Sequence, residues 1–146
     1  MAIITLLNGP NLNLLGLRQP EIYGRETLPD IVTRLEEAAR AAGHELRAVQ
    51  SNHEGALIDA IQAARGTSAG IIINPGALSH TSVGILDALN AYDGAVIEVH
   101  ISNIHAREAF RHHSFVSARA DGVIVGCGVQ GYDLALTRLL HLIEAD

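Results

Sequence analysis

Gly70-Ile71-Ile72-Ile73-Asn74-Pro75-Gly76 is the stretch from which the fold can be read. The segment Gly70–Asn74 is too short and too uniformly apolar for a helix, so it specifies a strand buried on both faces, and Pro75-Gly76 breaks it. Strands of that kind belong to parallel sheets covered by crossover helices. Toward the N-terminus, residues 2–7 form a second apolar run that ends at Asn8-Gly9-Pro10, and Glu45–Gln50 reads as a shorter strand. Toward the C-terminus, residues 95–101 and 122–126 repeat the pattern.

The segments between these runs carry helical signals. Thr27 offers an N-cap with Pro29 in the first turn, and Leu28, Ile31, Leu35, Ala38 and Ala42 recur at helical spacing up to Gly43. Leu57, Ile58, Ile61 and Ala64 mark a helix that stops at Gly66. His80-Thr81-Ser82 opens another, with Val83, Leu86, Ala88 and Leu89 expected inward and Asp87 one turn in. After Ser102-Asn103 a short helical stretch holds Arg107 and Arg111, and Tyr132, Leu136, Leu139, Leu140 and Ile143 stripe a closing helix. The sum is an α/β chain: one domain over residues 1–146, with a five-stranded parallel sheet and helices on both faces.

Composition narrows the chemistry. With 48% apolar residues but 3% aromatic and no Trp, the core has to be aliphatic. All ten basic residues are arginine, so Schiff-base catalysis, a P-loop lysine and lysine-dependent receiver chemistry are excluded. The net charge of −6, without a basic stripe or aromatic platform, argues against nucleic acid and anionic membranes. No apolar run reaches the roughly 18 residues of a membrane span, and the N-terminus lacks the flank and length of a signal peptide, so the expected location is cytoplasmic. The single Cys127 has no partner for a disulfide or a CxxC zinc site and is assigned to packing.

In an open parallel sheet, ligands bind beyond the carboxyl ends of the strands, where the strand order reverses. Asn8 and Asn11 follow the first strand, Asn52 and His53 the second, Asn74 and His80 the third, and His100 and Ser102 the fourth. These residues are expected to ring one crevice. The loop from Asn8 to Gly24 runs long before the next helix signal, as lids and binding loops do, and carries Arg18 and Tyr23. A phenol titrates near pH 10, so a tyrosine that accepts a proton at neutral pH needs its phenolate stabilised by about 4 kcal/mol. The guanidinium of Arg18 is a natural source; from the loop alone, an amphipathic surface tyrosine and a solvated arginine are the favoured reading, and it is the rest of the chain that reverses the preference.

Glu98-Val-His100-Ile-Ser102 places three polar side chains on one face of a strand. A carboxylate two residues from a histidine can orient its imidazole. The bland alternative is a satisfied core histidine with Glu98 paired to an arginine. Two other motifs carry less. Gly126-Cys-Gly128-Val-Gln-Gly131 matches GxGxxG between strand and helix, but no further strand follows and no acidic residue stands ready for a ribose, so these glycines read as close packing. Gly66-Thr-Ser68-Ala-Gly70 matches GxSxG, but it lies after a helix and before a strand, the reverse of the strand-to-helix order that a nucleophile elbow needs, so it reads as a loop. Eight histidines without an HExxH spacing give no metal pattern.

Six stretches together resemble type II 3-dehydroquinate dehydratase: Asn8-Gly-Pro-Asn-Leu-Asn-Leu-Leu-Gly, Arg18-Gln-Pro-Glu-Ile-Tyr-Gly, Gln50-Ser-Asn-His-Glu-Gly, Asn74-Pro-Gly-Ala-Leu-Ser-His-Thr-Ser, Ile97-Glu-Val-His-Ile-Ser-Asn-Ile-His-Ala-Arg-Glu and Gly126-Cys-Gly-Val-Gln-Gly-Tyr. The resemblance spans almost the whole chain. It implies a flavodoxin-like fold, assembly as a homododecamer (a tetramer of trimers), and reversible loss of water from 3-dehydroquinate through an enolate, without metal or cofactor. The missing lysine agrees, since the unrelated type I enzyme uses a lysine Schiff base.

Carried over position by position, the resemblance implies Tyr23 as the base, Arg18 as the group favouring its phenolate, His100 as the acid and Glu98 as its orienting partner. Asn11 would fix a water against the enolate oxygen. Asn74 and the backbone at Ile101 and Ser102 would hold the substrate carboxylate, and His80 and Arg111 would contact ring hydroxyls. Asp87 would complete a neighbouring subunit's site, while Arg107 reads as support near the lid. Leu78 and Ser79 depart mildly from the family's loop. Rival readings are a flavin- or nucleotide-binding module, which would call for aromatics at the cofactor loops, and a non-catalytic assembly subunit.

Overall fold

The computed structural model describes residues 1–17 and 20–145, with the side chains of residues 22 and 23 outside that description. Strand β1 (Ile3–Asn8) lies inside the sheet, one place from its edge. It is followed by a 3-10 turn at Leu12–Leu14, a four-residue helix α1 (Pro20–Tyr23), and helix α2 (Leu28–Ala41). The Thr27 side chain accepts from the Asp30 N–H while the Asp30 carboxylate accepts from the Thr27 N–H, a reciprocal cap that starts α2 where the sequence places it. Then come β2 (Glu45–Gln50), α3 (Glu54–Ala64), β3 (Gly70–Asn74), a 3-10 segment at Gly76–His80, α4 (Val83–Asn90), β4 (Ala95–His100), β5 (Gly122–Val125) and α5 (Gln130–Glu144).

All pairings are parallel and the sheet order is β2-β1-β3-β4-β5. This is the flavodoxin-like doubly wound order, and its reversal lies between β1 and β3. Right-handed crossovers in opposite directions from that point put helices on both faces. On one face Ile4, Leu6, Ile72, Ile97 and Val99 pack with Ile31 and Leu35 of α2 and Leu136 and Leu139 of α5. On the other, Leu7, Ile71, Ile73 and Val96 pack with Leu57 and Ile61 of α3 and Ile85 and Leu89 of α4. Every residue of β3 is buried, as its sequence requires of a central strand.

Several details differ from the sequence pattern. In α2 the fourth buried position is Ala39, while Ala38 and Ala42 are exposed, because the stripe steps by four at its end and Ala42 already caps the helix. In α4 the inward residues are Ile85, Ala88 and Leu89; Val83 stands outside at the first turn, where Ser82 caps the Ile85 N–H at 2.9 Å, and Leu86 is half-buried. The link from β4 to β5 holds three 3-10 turns, Ile104–Ala106, Ala109–Arg111 and Val116–Ala118, because its apolar residues never recur at helical spacing. Cys127 is exposed and packs no core, since Gly126 and Gly128 on either side take left-handed backbone and turn the loop outward. No helix among the described residues is long and apolar enough to cross a membrane.

Candidate active site

A cavity of about 210 Å³ opens beyond the carboxyl ends of β1, β3 and β4, at the reversal of strand order. Asn11, Asn74, His80, His100, Ile101, Ser102, Arg107 and Arg111 line it, with Leu12, Leu14, Leu15 and Ile104 supplying apolar wall. Its floor depends on two loops packed backbone to backbone. The Gly9 N–H donates to the Asn74 carbonyl at 2.8 Å, and a Cβ at Gly9 would stand 2.3 Å from the Pro75 carbonyl oxygen. Only glycine fits there.

Asn11 takes left-handed backbone (φ 69°), the single non-glycine to do so among the described residues. Asparagine tolerates that conformation better than most side chains. The Asn52 side-chain oxygen accepts from its backbone N–H at 3.0 Å, so the loop after β2 holds the loop after β1.

Asn74 has a fixed polarity. Its Oδ1 accepts from the Gly76 N–H at 3.1 Å, a group that can only donate, so its Nδ2 donates to the Tyr132 hydroxyl at 2.9 Å. That hydroxyl then donates to Asn8 Oδ1 at 2.6 Å. One N–H of Asn74 is left for a molecule in the cavity, which suits an anion or a carbonyl. Burial pushes the Tyr132 phenol up, further than its bond from Asn74 brings it down, so it stays a neutral donor. Asn8 Nδ2, buried beneath the floor, has no partner among the described residues.

Glu98 and His100 point toward the α3–α4 face and are bonded directly, Glu98 Oε2 to His100 Nε2. Glu98 is fully buried and His100 is 4% exposed. Burial pushes the Glu98 carboxyl up, but hydrogen bonds from His100, Ser114 and Ser117 outweigh it and hold the group below the ordinary carboxylate value. With Nε2 committed to Glu98, Nδ1 is the ring nitrogen of His100 left for a ligand. His80 stacks on His100 with ring centroids 6.4 Å apart, and its Nδ1 donates to the His113 carbonyl at 2.8 Å.

Arg107 reaches the site more directly than its reading as lid support implies: it lines the cavity, and its Nη1 donates to Ser102 Oγ at 3.3 Å. Arg111 Nε donates to the Glu108 carboxylate at 2.6 Å. Asp87 stands on the exposed side of α4 and does not line this chain's cavity. Arg18 and the side chain of Tyr23 lie outside the described residues; the Tyr23 backbone ends α1. Three contributors escaped the sequence reading. Ser114 and Ser117 lie in a link with no periodic signal, and Tyr132 reads as one apolar position of a helix stripe.

A family model described as dehydroquinase class II matches residues 2–140. A relative named 3-dehydroquinate dehydratase 2, from Agrobacterium fabrum, is 66% identical over 144 residues, which cover 99% of this chain and 98% of the relative. Among solved structures, the type II dehydroquinase from Propionibacterium acnes superposes with a TM-score of 0.89 at 45% identity, covering 97% of each chain. The type II dehydroquinase from Butyrivibrio crossotus gives 0.90 at 47%, covering 94% of this chain and 97% of that one. An α/β chain with this sheet order, this cavity and these relatives belongs to the class II dehydroquinase family.

Proposed function

We propose that the chain is a 3-dehydroquinate dehydratase of the shikimate pathway, a hydro-lyase that removes water from 3-dehydroquinate to give 3-dehydroshikimate through an enolate. The observation that carries this reading is the buried Glu98–His100 pair at the base of a small, arginine-lined cavity. Tyr23, as phenolate beside Arg18, takes the proton next to the ketone; the C–H pair becomes the enolate, and a water held by Asn11 faces its oxygen. Losing such an oxyanion donor costs about 10²–10³ in rate. His100 gives a proton to the departing hydroxyl as the C–O bond breaks, and the enolate pair closes the conjugated double bond. Asn74, with its free N–H, and the backbone at Ile101 and Ser102 hold the carboxylate, while His80 and Arg111 contact ring hydroxyls.

No step in this sequence calls on a metal or cofactor. We assign the protein to the cytoplasm and to a homododecamer in which Asp87 completes the site of a neighbouring copy. Incubation with 3-dehydroquinate in the presence of EDTA should raise the ultraviolet absorbance of the conjugated product, and Tyr23→Phe should abolish the rise while leaving the circular dichroism spectrum unchanged. Flat absorbance from folded wild-type protein refutes the activity; full turnover by the variant refutes the assignment of the base.

A further inference from the structure

Glu98 accepts from more than His100. Ser114 Oγ donates to its Oε2 at 2.7 Å and Ser117 Oγ to its Oε1 at 2.5 Å. Neither serine lines the cavity. Both flank Val116, which is fully buried in the core on the α3–α4 side, and the Phe115 N–H between them donates to the Ser79 carbonyl at 2.8 Å. The two hydroxyls are thus held in place by packing that lies outside the cavity wall.

The surroundings of Glu98 bring in little other charge. Its register neighbours are Ile73 on β3 and Val123 on β5. His100 is the charged or titratable group bonded to it, His80 stacks on the far side of that ring, and Arg107 and Arg111 line the cavity beyond. Three of the carboxylate's roughly four lone-pair sites accept from His100, Ser114 and Ser117, and each of these bonds is stronger to the anion than to the neutral acid, so all three favour the charged form.

We propose that Ser114 and Ser117 are positioning residues that keep Glu98 an anion throughout the reaction, so that the proton His100 delivers leaves from Nδ1 and is never surrendered to the carboxylate. This rests on the dehydratase reading. In the step itself the Nδ1–H bond of the imidazolium breaks, a new O–H bond forms on the departing hydroxyl, and water leaves with the C–O electron pair. The neutral imidazole keeps its Nε2–H on Glu98.

The test uses Ser117→Ala, Ser114→Ala and the pair, with Ser→Thr at each position as the conservative control. Position 117 is exposed apart from its hydroxyl contact, so Ser117→Ala alone keeps the question open if the double variant does not fold. Infrared titration of the protonated carboxyl band, absent in Glu98→Gln, should place the Glu98 midpoint about one pH unit higher in the double variant, roughly a tenfold change in its proton affinity. KM at neutral pH should be unchanged, and threonine should restore the midpoint. An unmoved midpoint in a folded variant overturns the proposal, as does a threonine variant no better than alanine. The infrared measurement needs no turnover, so an inactive wild type would count against the dehydratase reading and leave the charge of Glu98 separately measured.

Discussion

At the scale of single residues, the site is governed by groups whose hydrogen-bonding direction is forced. The Gly76 N–H sets the orientation of Asn74, Asn74 sets that of the Tyr132 hydroxyl, and the hydroxyl ends on Asn8. Tyr132→Phe keeps the ring in the core but strands Asn8 Oδ1 and Asn74 Nδ2. We expect it to cost about 1–3 kcal/mol of stability, read from chemical denaturation. Because Asn74 then has one anchor, KM for 3-dehydroquinate should rise while the pH dependence of turnover stays put; an unchanged KM would make the network purely structural. This hub was not legible in the sequence. A helix stripe shows that the ring of residue 132 faces the sheet, but the partners of its hydroxyl lie 58 and 124 residues away.

At the scale of elements, the active-site loop is tied down at its far end by charge. Arg34 of α2 pairs through Nε and Nη2 with both oxygens of Asp133 on α5, each at 2.9 Å, and through Nη1 with Glu26, just past α1. A Cβ at Gly16 would stand 2.8 Å from the Arg25 carbonyl oxygen, so the two ends of the loop also meet backbone to backbone. The side chains of Arg34 and Asp133 are each 37% exposed, so the pairs contribute little to overall stability, below about 1 kcal/mol. Arg34→Gln should barely shift the unfolding midpoint but should speed amide hydrogen exchange at residues 24–26, an effect that high salt reproduces in the wild type. Equal exchange in both proteins would show that the loop end is held by its backbone alone. The strands were legible because β1, β3 and β4 are buried on both sides and admit little but aliphatic residues. The link after β4 was not, because short 3-10 turns leave no period to count.

At the scale of the whole molecule, the arrangement concentrates polar groups at one end of an aliphatic body. The apolar runs pointed to a five-stranded parallel sheet, while the flavodoxin-like arrangement was implied by the family resemblance; the observed order brings residues that follow β1, β3 and β4 to one cavity. What the order could not reveal is what meets the outward side of α4, where Asp87 stands. If twelve copies assemble as proposed, light scattering should report that mass, and Asp87→Ala should lower kcat/KM without changing it. A monomer with full activity would remove Asp87 from the site. The exposed Cys127 gives a practical handle on the same end of the molecule. It is the chain's single thiol, and the next residue, Gly128, donates its N–H to the carbonyl of Ile101, part of the cavity wall, at 3.0 Å. A maleimide fluorophore placed there would be one peptide unit from the wall, and its emission would report the arrival and departure of bound molecules in real time.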